Sequence, residues 1–305
     1  MKPKLVIVLG PTVVGKSDLA INLAQALDGE IINADSQQVY RGLNIGTGKP
    51  STVELEAAPH HLIDVVDPDE EFNVAVFRRL ATQTAKGIWS RRKTPIVCGG
   101  TGLYLKALTR GLFVGPSQDK AVRKVLDAEI EKDGLSSLYE RLRQVDPAAT
   151  YWIHPNDRQR ITRALEVYEL TGKPMSVWQS EHGFRESPFE PLKIGLDRPR
   201  DDLYKRINER CEWMIQQGLV EEVKGLIAKG YSLELKPLQS VGYRHAGLFL
   251  AGVMPLADAV TLMKRDTRRL AKRQLTWFRG DKEIRWFHPD KDREQILRVA
   301  KDFLT

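Results

Sequence analysis

An α/β fold with a parallel sheet, interrupted by an all-helical insertion, is predicted for this chain by three features of its 305 residues. Residues Gly10 to Ser17 read GPTVVGKS between the apolar run Leu5-Val6-Ile7-Val8-Leu9 and a helical pattern from Asp18 to Leu27, the strand, glycine turn and helix of a phosphate-binding P-loop. Other short apolar runs also end in glycine or polar turns before helical patterns, the rhythm of parallel strands joined by crossover helices. From about Pro116 that rhythm stops and helices follow one another without strands. The expected core is P-loop nucleotide-triphosphate-hydrolase-like, with residues 1–115 as its first part, 116–187 as an inserted helical domain and 188–305 as its second part with basic helices.

The first strand, Leu5–Leu9, delivers Gly10, Pro11, Thr12, Val13, Val14, Gly15, Lys16 and Ser17, a loop whose backbone N–H groups, absent only at Pro11, are expected to cradle a diphosphate or triphosphate. Lys16 would reach the outer phosphate and Ser17 would hold magnesium. The second strand, Glu30–Asn33, ends in Asn33-Ala34-Asp35-Ser36, so Asp35 opens onto the same sheet edge as the loop and is a candidate base; capping a helix is its alternative role, or that of Ser36. The third, Pro95–Cys98, ends in Gly99-Gly100-Thr101-Gly102 where a nucleotide hydrolase would carry the Walker-B acid, which disfavours a motor or switch GTPase. Thr101 either meets a leaving-group oxygen or caps a helix over Gly102–Leu108. The insertion reads as helices over Asp119–Asp133, Ser136–Gln144 and Asn156–Leu170, the last capped by Asn156 or Asp157 and closed by Gly172 and Pro174. A proline-broken connector from Glu186 to Pro191 precedes a returning strand, Leu192–Leu196, and helices are expected from Asp201 to the end.

Composition narrows the setting. No apolar run approaches the roughly 20 residues of a membrane helix, and the N-terminal stretch is too short for a signal peptide, so a soluble, cytoplasmic protein without membrane contact is expected, as a monomer. Cys98 and Cys211 form no disulfide framework, and His60-His61 has no second ligand pair nearby that would suggest zinc. The net charge of +7 is concentrated between Lys264 and Arg273, where KRDTRRLAKR places Lys264, Arg265, Arg268, Arg269, Lys272 and Arg273 on one half of a helix. Met263, Leu270, Ala271 and Gln274 fall on the other half. Six cations against the single Asp266 leave most unpaired, a pattern suited to nucleic-acid phosphates.

Six blocks occur in fixed order: GPTVVGKS, DSQQVYRGLNIGTGKP (Asp35 to Pro50), GGTGLYLKAL (Gly99 to Leu108), HPNDRQRITRALEVYELTGKP (His154 to Pro174), SVGYR (Ser240 to Arg244) and RRLAKRQLTWFR (Arg268 to Arg279). Together they resemble the bacterial tRNA dimethylallyltransferases, over nearly the whole chain. The resemblance implies transfer of the dimethylallyl group of dimethylallyl diphosphate to N6 of the adenine immediately 3′ of a tRNA anticodon, with Mg2+ as cofactor and the anticodon stem-loop as partner. It makes Asp35 the base and the P-loop the holder of a diphosphate leaving group, which accounts for the missing Walker-B acid. It further implies tRNA contact by Asp35, Ser36, Gln37 and Gln38, by Gln159, Arg160, Ile161, Thr162 and Arg163, and by Gln239, Ser240, Val241, Gly242, Tyr243 and Arg244. Lys272 and Arg273 join these on the basic helix. Thr101 and Arg123 match positions near the reacting groups, and Arg206 is preferred over Arg210 for the departing diphosphate. A glutamine can pair an adenine edge with two hydrogen bonds, and Tyr40, Trp152 and Tyr243 are candidates for base stacking. Val13 departs from the small residue usual in the family. A small-molecule P-loop kinase is the alternative enzyme and a pure RNA-binding module the alternative non-enzyme; neither accounts for the loop, the Asp35 carboxylate and the basic helix together.

Overall fold

The computed structural model describes residues 2–113, 115–183 and 187–305. Its strands are β1 (Lys4–Leu9), β2 (Gly29–Asn33), β3 (His60–His61), β4 (Thr94–Gly99), β5 (Glu190–Leu196) and β6 (Arg285–Phe287). Its helices are α1 (Lys16–Ala26), α2 (Thr52–Ala57), α3 (Val74–Ser90), α4 (Gly102–Arg110), α5 (Lys120–Asp133), α6 (Leu135–Val145), α7 (Arg158–Thr171), α8 (Met175–His182), α9 (Arg200–Gln216), α10 (Leu219–Ala228), α11 (Tyr243–Leu250), α12 (Leu256–Arg279) and α13 (Arg293–Leu304). The strands form one sheet in the order β3-β2-β4-β1-β5-β6, and every neighbouring pair is parallel.

All of β2, and β1 and β4 beyond their first residue, are buried, as expected when helices cover both faces of a parallel sheet. The chain leaves β1 for β2 on one side and leaves β4 for β5 on the other. The crevice beyond the carboxyl ends of β1 and β4 is therefore the switch point at which such sheets bind ligands.

Three sequence expectations are corrected here, and one strand is added. No helix follows β2: residues 34–51 form an extended, turning connection, and the next helix is α2, started by a Ser51–Glu54 capping box. His60 and His61 form an edge strand on Ile31 and Ile32. After α12 the chain returns to the sheet as β6, so the second part is not helical to its end. The returning strand also begins at Glu190, with Pro191 opposite Leu5; Glu186, at the head of the expected connector, lies outside the described residues.

The chain separates into two compact units, Met1–Thr109 with Ser187–Thr305, and Arg110–Glu186. The helical unit thus starts ahead of Pro116. It packs α5 to α8 around Leu126, Leu138, Leu142, Ile161 and Leu165. Asp157, not Asn156, caps α7 by accepting from Arg160 N at 3.1 Å, and Gly172 ends the helix at φ 66°.

Candidate active site

Four adjacent strands end side by side, and each delivers part of the site. β1 runs into the P-loop, where Gly15 stands at φ 105° and leaves the first-turn N–H groups of α1 without a side-chain cap. Val13 stands at φ 66°, a β-branched side chain in the left-handed region, which explains why a small residue is easier there. Lys16 Nζ donates to Pro11 O at 2.7 Å within its own loop. Burial pulls the Lys16 pKa down, partly opposed by Cys98 and Asp35; the Cys98 thiol, pushed up to about 11 by its own burial, is neutral at pH 7, so Asp35 is the effective counter-charge. The hydroxyl of exposed Ser17 makes no hydrogen bond to a described residue.

On the far side of β1, just past β5, Arg198 is buried and donates through Nε to Val14 O at 3.0 Å. Asp202 and Asp290 hold its other nitrogens, and their hydrogen bonds more than offset the burial that would lower its pKa. Sequence reasoning passed over Arg198. Arg206, the expected diphosphate contact, pairs with Asp202 at 3.2 Å and so belongs to the same charge network. Arg210 instead stacks on Trp213, its guanidinium carbon 4.1 Å from the ring centroid.

On the near side, the turns after β4 and β2 are bonded to each other. Thr101 Oγ1 accepts from Ser36 N at 3.1 Å, and Thr101 N donates to Ala34 O at 3.4 Å. The hydroxyl therefore braces the turn that carries Asp35 and does not cap α4. A Cβ on Gly99 would lie 2.4 Å from the Ala34 carbonyl, so only glycine lets the two turns meet. Asp35 Oδ1 accepts from Gln37 N at 2.8 Å, while Asp35 N donates to Asn33 Oδ1. With no helix after β2, the capping role for Asp35 or Ser36 is excluded. The Gln38 amide donates to the carbonyls of Thr47 and Gly48, so its donors are committed within the chain.

Asp35, Ser36, Gln37 and Thr101 line a cavity of about 580 Å³ together with Thr12, Gln239, Ser240, Val241, Arg244, Arg269, Arg273 and Gln274. Gln37 Oε1 and Ser240 Oγ are buried there without a hydrogen-bond partner among the described residues. Arg244 is held by Asp266 at 2.6 Å, and His245 also approaches that carboxylate while accepting from Gly242 N, which stands at φ 98°. Tyr243 corrects an expectation: its side chain is fully buried, its hydroxyl donates to Glu222, and burial followed by that carboxylate drives its pKa upward, so it cannot stack on a base. Tyr40 is likewise buried. Glu222 also accepts from the backbone N–H groups of Asn44, Ile45 and Gly46, which fixes the cavity wall that Gly46 and Thr47 form.

The basic strip on α12 is more paired than its sequence suggests. Lys264 bonds Glu212, Arg268 bonds Asn208, and Arg265 and Arg269 share Asp266. Lys272 and Arg273 make no ion pair with a described residue and are both exposed. Gln274, which the helical spacing assigns to packing, bonds both Thr12 and Gly100.

In the helical unit, Arg123 grips the fully buried Glu166 through Nε and Nη2 at 2.9 and 3.0 Å, and Arg163 joins at 2.6 Å. Burial alone would push the Glu166 carboxyl up, but these bonds outweigh it and hold it below the usual carboxylate value. Ile161 packs in the unit's own core, and Thr162 is buried with its hydroxyl unpartnered among the described residues, so neither side chain is presented outward as expected for RNA contact, whereas Gln159 and Arg160 are exposed and Trp152 is 45% exposed. Among the described residues no cluster of His, Cys, Asp and Glu could hold a metal by itself, and no helix is long and apolar enough to cross a membrane.

A P-loop whose neighbours are a carboxylate and a glycine turn, set beside a basic helix, defines a group-transfer enzyme of the P-loop α/β class. The IPP transferase family model matches residues 38–281, and the isopentenyl transferase model matches residues 3–65. The chain is 50% identical to a tRNA dimethylallyltransferase of Geobacter sulfurreducens over 99% of this chain and 97% of that one, and 52% identical to one of Syntrophobacter fumaroxidans over 98% and 87%. Among solved structures, a full-length tRNA isopentenylpyrophosphate transferase of Bacillus halodurans superposes with a TM-score of 0.75 at 40% identity, covering 99% of this chain and 97% of that one. A eukaryotic dimethylallyltransferase acting on tRNA gives 0.82 at 31% identity, covering 99% and 79%. The chain belongs to the tRNA dimethylallyltransferase, or IPP transferase, family.

Proposed function

We propose that this chain transfers the dimethylallyl group of dimethylallyl diphosphate to N6 of the adenine immediately 3′ of a tRNA anticodon. The observation that carries the reading is the single sheet edge on which the P-loop, the Thr101 turn and Asp35 stand in adjacent order, facing a cavity with two orphaned polar atoms. A buried polar atom without a partner is costly, and Gln37 Oε1 beside Asp35 suits the exocyclic amine of an adenine. An adenine in an anticodon loop reaches such a site once it is turned out of its stack.

In the reaction, the N6 lone pair attacks C1 of the donor, the C–O bond to the diphosphate breaks, and its electron pair departs with the diphosphate. Asp35 takes the N6 proton, which offsets the weak nucleophilicity of an aromatic amine. The free backbone N–H groups of the P-loop from Val13 to Ser17, with Lys16, hold the diphosphate and stabilise the charge it gains; Arg206 adds a further cation by exchanging its Asp202 partner for diphosphate oxygen. Ser17 would hold the magnesium that accompanies the diphosphate, since its exposed hydroxyl makes no hydrogen bond to a described residue. When bound, magnesium would neutralise charge on the leaving group. Ser36, Arg244, Lys272, Arg273, Gln159 and Arg160 supply the contacts to the RNA.

An unmodified anticodon stem-loop incubated with the protein, magnesium and either dimethylallyl diphosphate or ATP tests the reading by mass spectrometry. One added prenyl unit on the adenine beside the anticodon, requiring the diphosphate and not ATP, is expected. ADP formation without prenylation of any stem-loop would instead favour the kinase.

A further inference from the structure

Two bonds from a single side chain tie the basic helix to the phosphate loop and to the turn after β4. Gln274 on α12 accepts from Thr12 N at 2.8 Å and donates to Gly100 O at 3.0 Å. One planar amide thus holds the tip of the loop after β1 against the turn after β4, the two strands that flank the crevice. The approach is close. A Cβ on Gly100 would stand 2.4 Å from Gln274 Nε2, and one on Gly102 would stand 2.3 Å from the indole of Trp277, a helical turn further along.

We infer that Gln274 is a positioning residue for the transfer. It sets the spacing between the loop that carries the diphosphate and the turn that carries Thr101, so that the donor carbon stands in line with the amine beside Asp35. This inference rests on the proposed activity. Among the side chains of this length, only an amide offers a donor and an acceptor at once without charge at neutral pH. Alanine leaves Thr12 N–H and Gly100 O to water and frees the two turns from each other. An ionised glutamate accepts from Thr12 but repels the Gly100 carbonyl and any diphosphate nearby, whereas a protonated one restores both bonds.

The charged groups around Gln274 are Asp35 from the turn after β2, Arg244 from α11, and Asp266, Arg269 and Arg273 from its own helix, with Lys16 in the adjoining loop. All are common to wild type and variants, so the glutamate ratio at one pH reports the ionisation of the new carboxyl together with its coupling to these groups.

The test compares single-turnover transfer by wild type, Gln274→Ala and Gln274→Glu at saturating stem-loop, across about pH 5 to 8. Stem-loop affinity and melting temperature are measured alongside. The alanine variant should lose roughly 100-fold in rate, the order expected for a misplacement of about 1 Å, while binding RNA and melting much as wild type does. The ratio of the glutamate variant to wild type should rise as pH falls. An alanine variant as fast as wild type, a loss carried by RNA affinity, or a flat glutamate ratio would overturn the inference. If the alanine variant does not fold, the glutamate ratio decides alone. Absence of transfer by wild type would overturn the proposed activity itself, a separate failure.

Discussion

Asp35 combines two duties that a substitution can separate. Its Oδ1 accepts from Gln37 N and shapes the turn, while in the proposed reaction the carboxylate as a whole would supply basicity. Asparagine preserves the acceptor and removes the base, so Asp35→Asn should cut transfer by about 10²- to 10⁴-fold, the range for a positioned general base, with stem-loop affinity unchanged. Near-normal turnover would retire Asp35 from proton transfer. Glu166 is the residue whose effect depends on acidity. Its folded-state pKa is depressed, so its stabilisation is complete above the unfolded carboxylate value of about 4.3 and is lost as pH falls through the lower folded value. Glu166→Gln should therefore lower the melting temperature at neutral pH, and the gap to wild type should close in acid. A gap that stays constant down to about pH 3 would show that the carboxylate charge contributes nothing.

At the scale of elements, the site depends on how closely two turns approach. The Gly99 position meets the Ala34 backbone, which cannot swing aside like a flexible side chain. Gly99→Ala should destabilise the fold by about 1–3 kcal/mol, and more if the turn cannot shift, with displaced Asp35 as the functional consequence. Denaturant unfolding and transfer rates measured together check this; a fully stable, fully active variant would mean that the strands part freely. The elements themselves were largely legible in sequence where their signals are local: the apolar run before GPTVVGKS, Asp157 before its helix, and Gly172 after it. What sequence could not supply came from partners remote along the chain. Gln274 meets Thr12 across 262 positions, Arg198 meets Val14 across 184, and Glu222 meets Ile45 across 177. Helical spacing gives each such residue a face but not a partner. The same limit explains Tyr243, whose place in SVGYR suggests exposure although its ring fills the core beside Gly46.

Across the whole molecule, a net charge of +7 gives RNA association a salt dependence, and the exposed, unpaired part of α12 is where substitution should change it. Lys272→Ala with Arg273→Ala should weaken stem-loop binding and reduce the slope of log affinity against log salt by about 1.5, since roughly 0.7 to 0.9 counterions are released per phosphate contact. An unchanged slope would place the strip away from the RNA. Lys264, Arg265 and Arg268, which already have partners, should change the slope less when substituted singly.

The bond from Lys16 to Pro11 O has a further consequence for how the donor is received. The cation that should greet a phosphate is already occupied by the loop's own carbonyl, so the site holds a placeholder made from itself. Under the proposed function, arrival of the donor is an exchange of partners, and a ligand succeeds only if it offers Lys16 more than Pro11 does. A neutral prenyl alcohol would have nothing to exchange and would be turned away at the loop, before any catalytic group has to tell it from the true substrate.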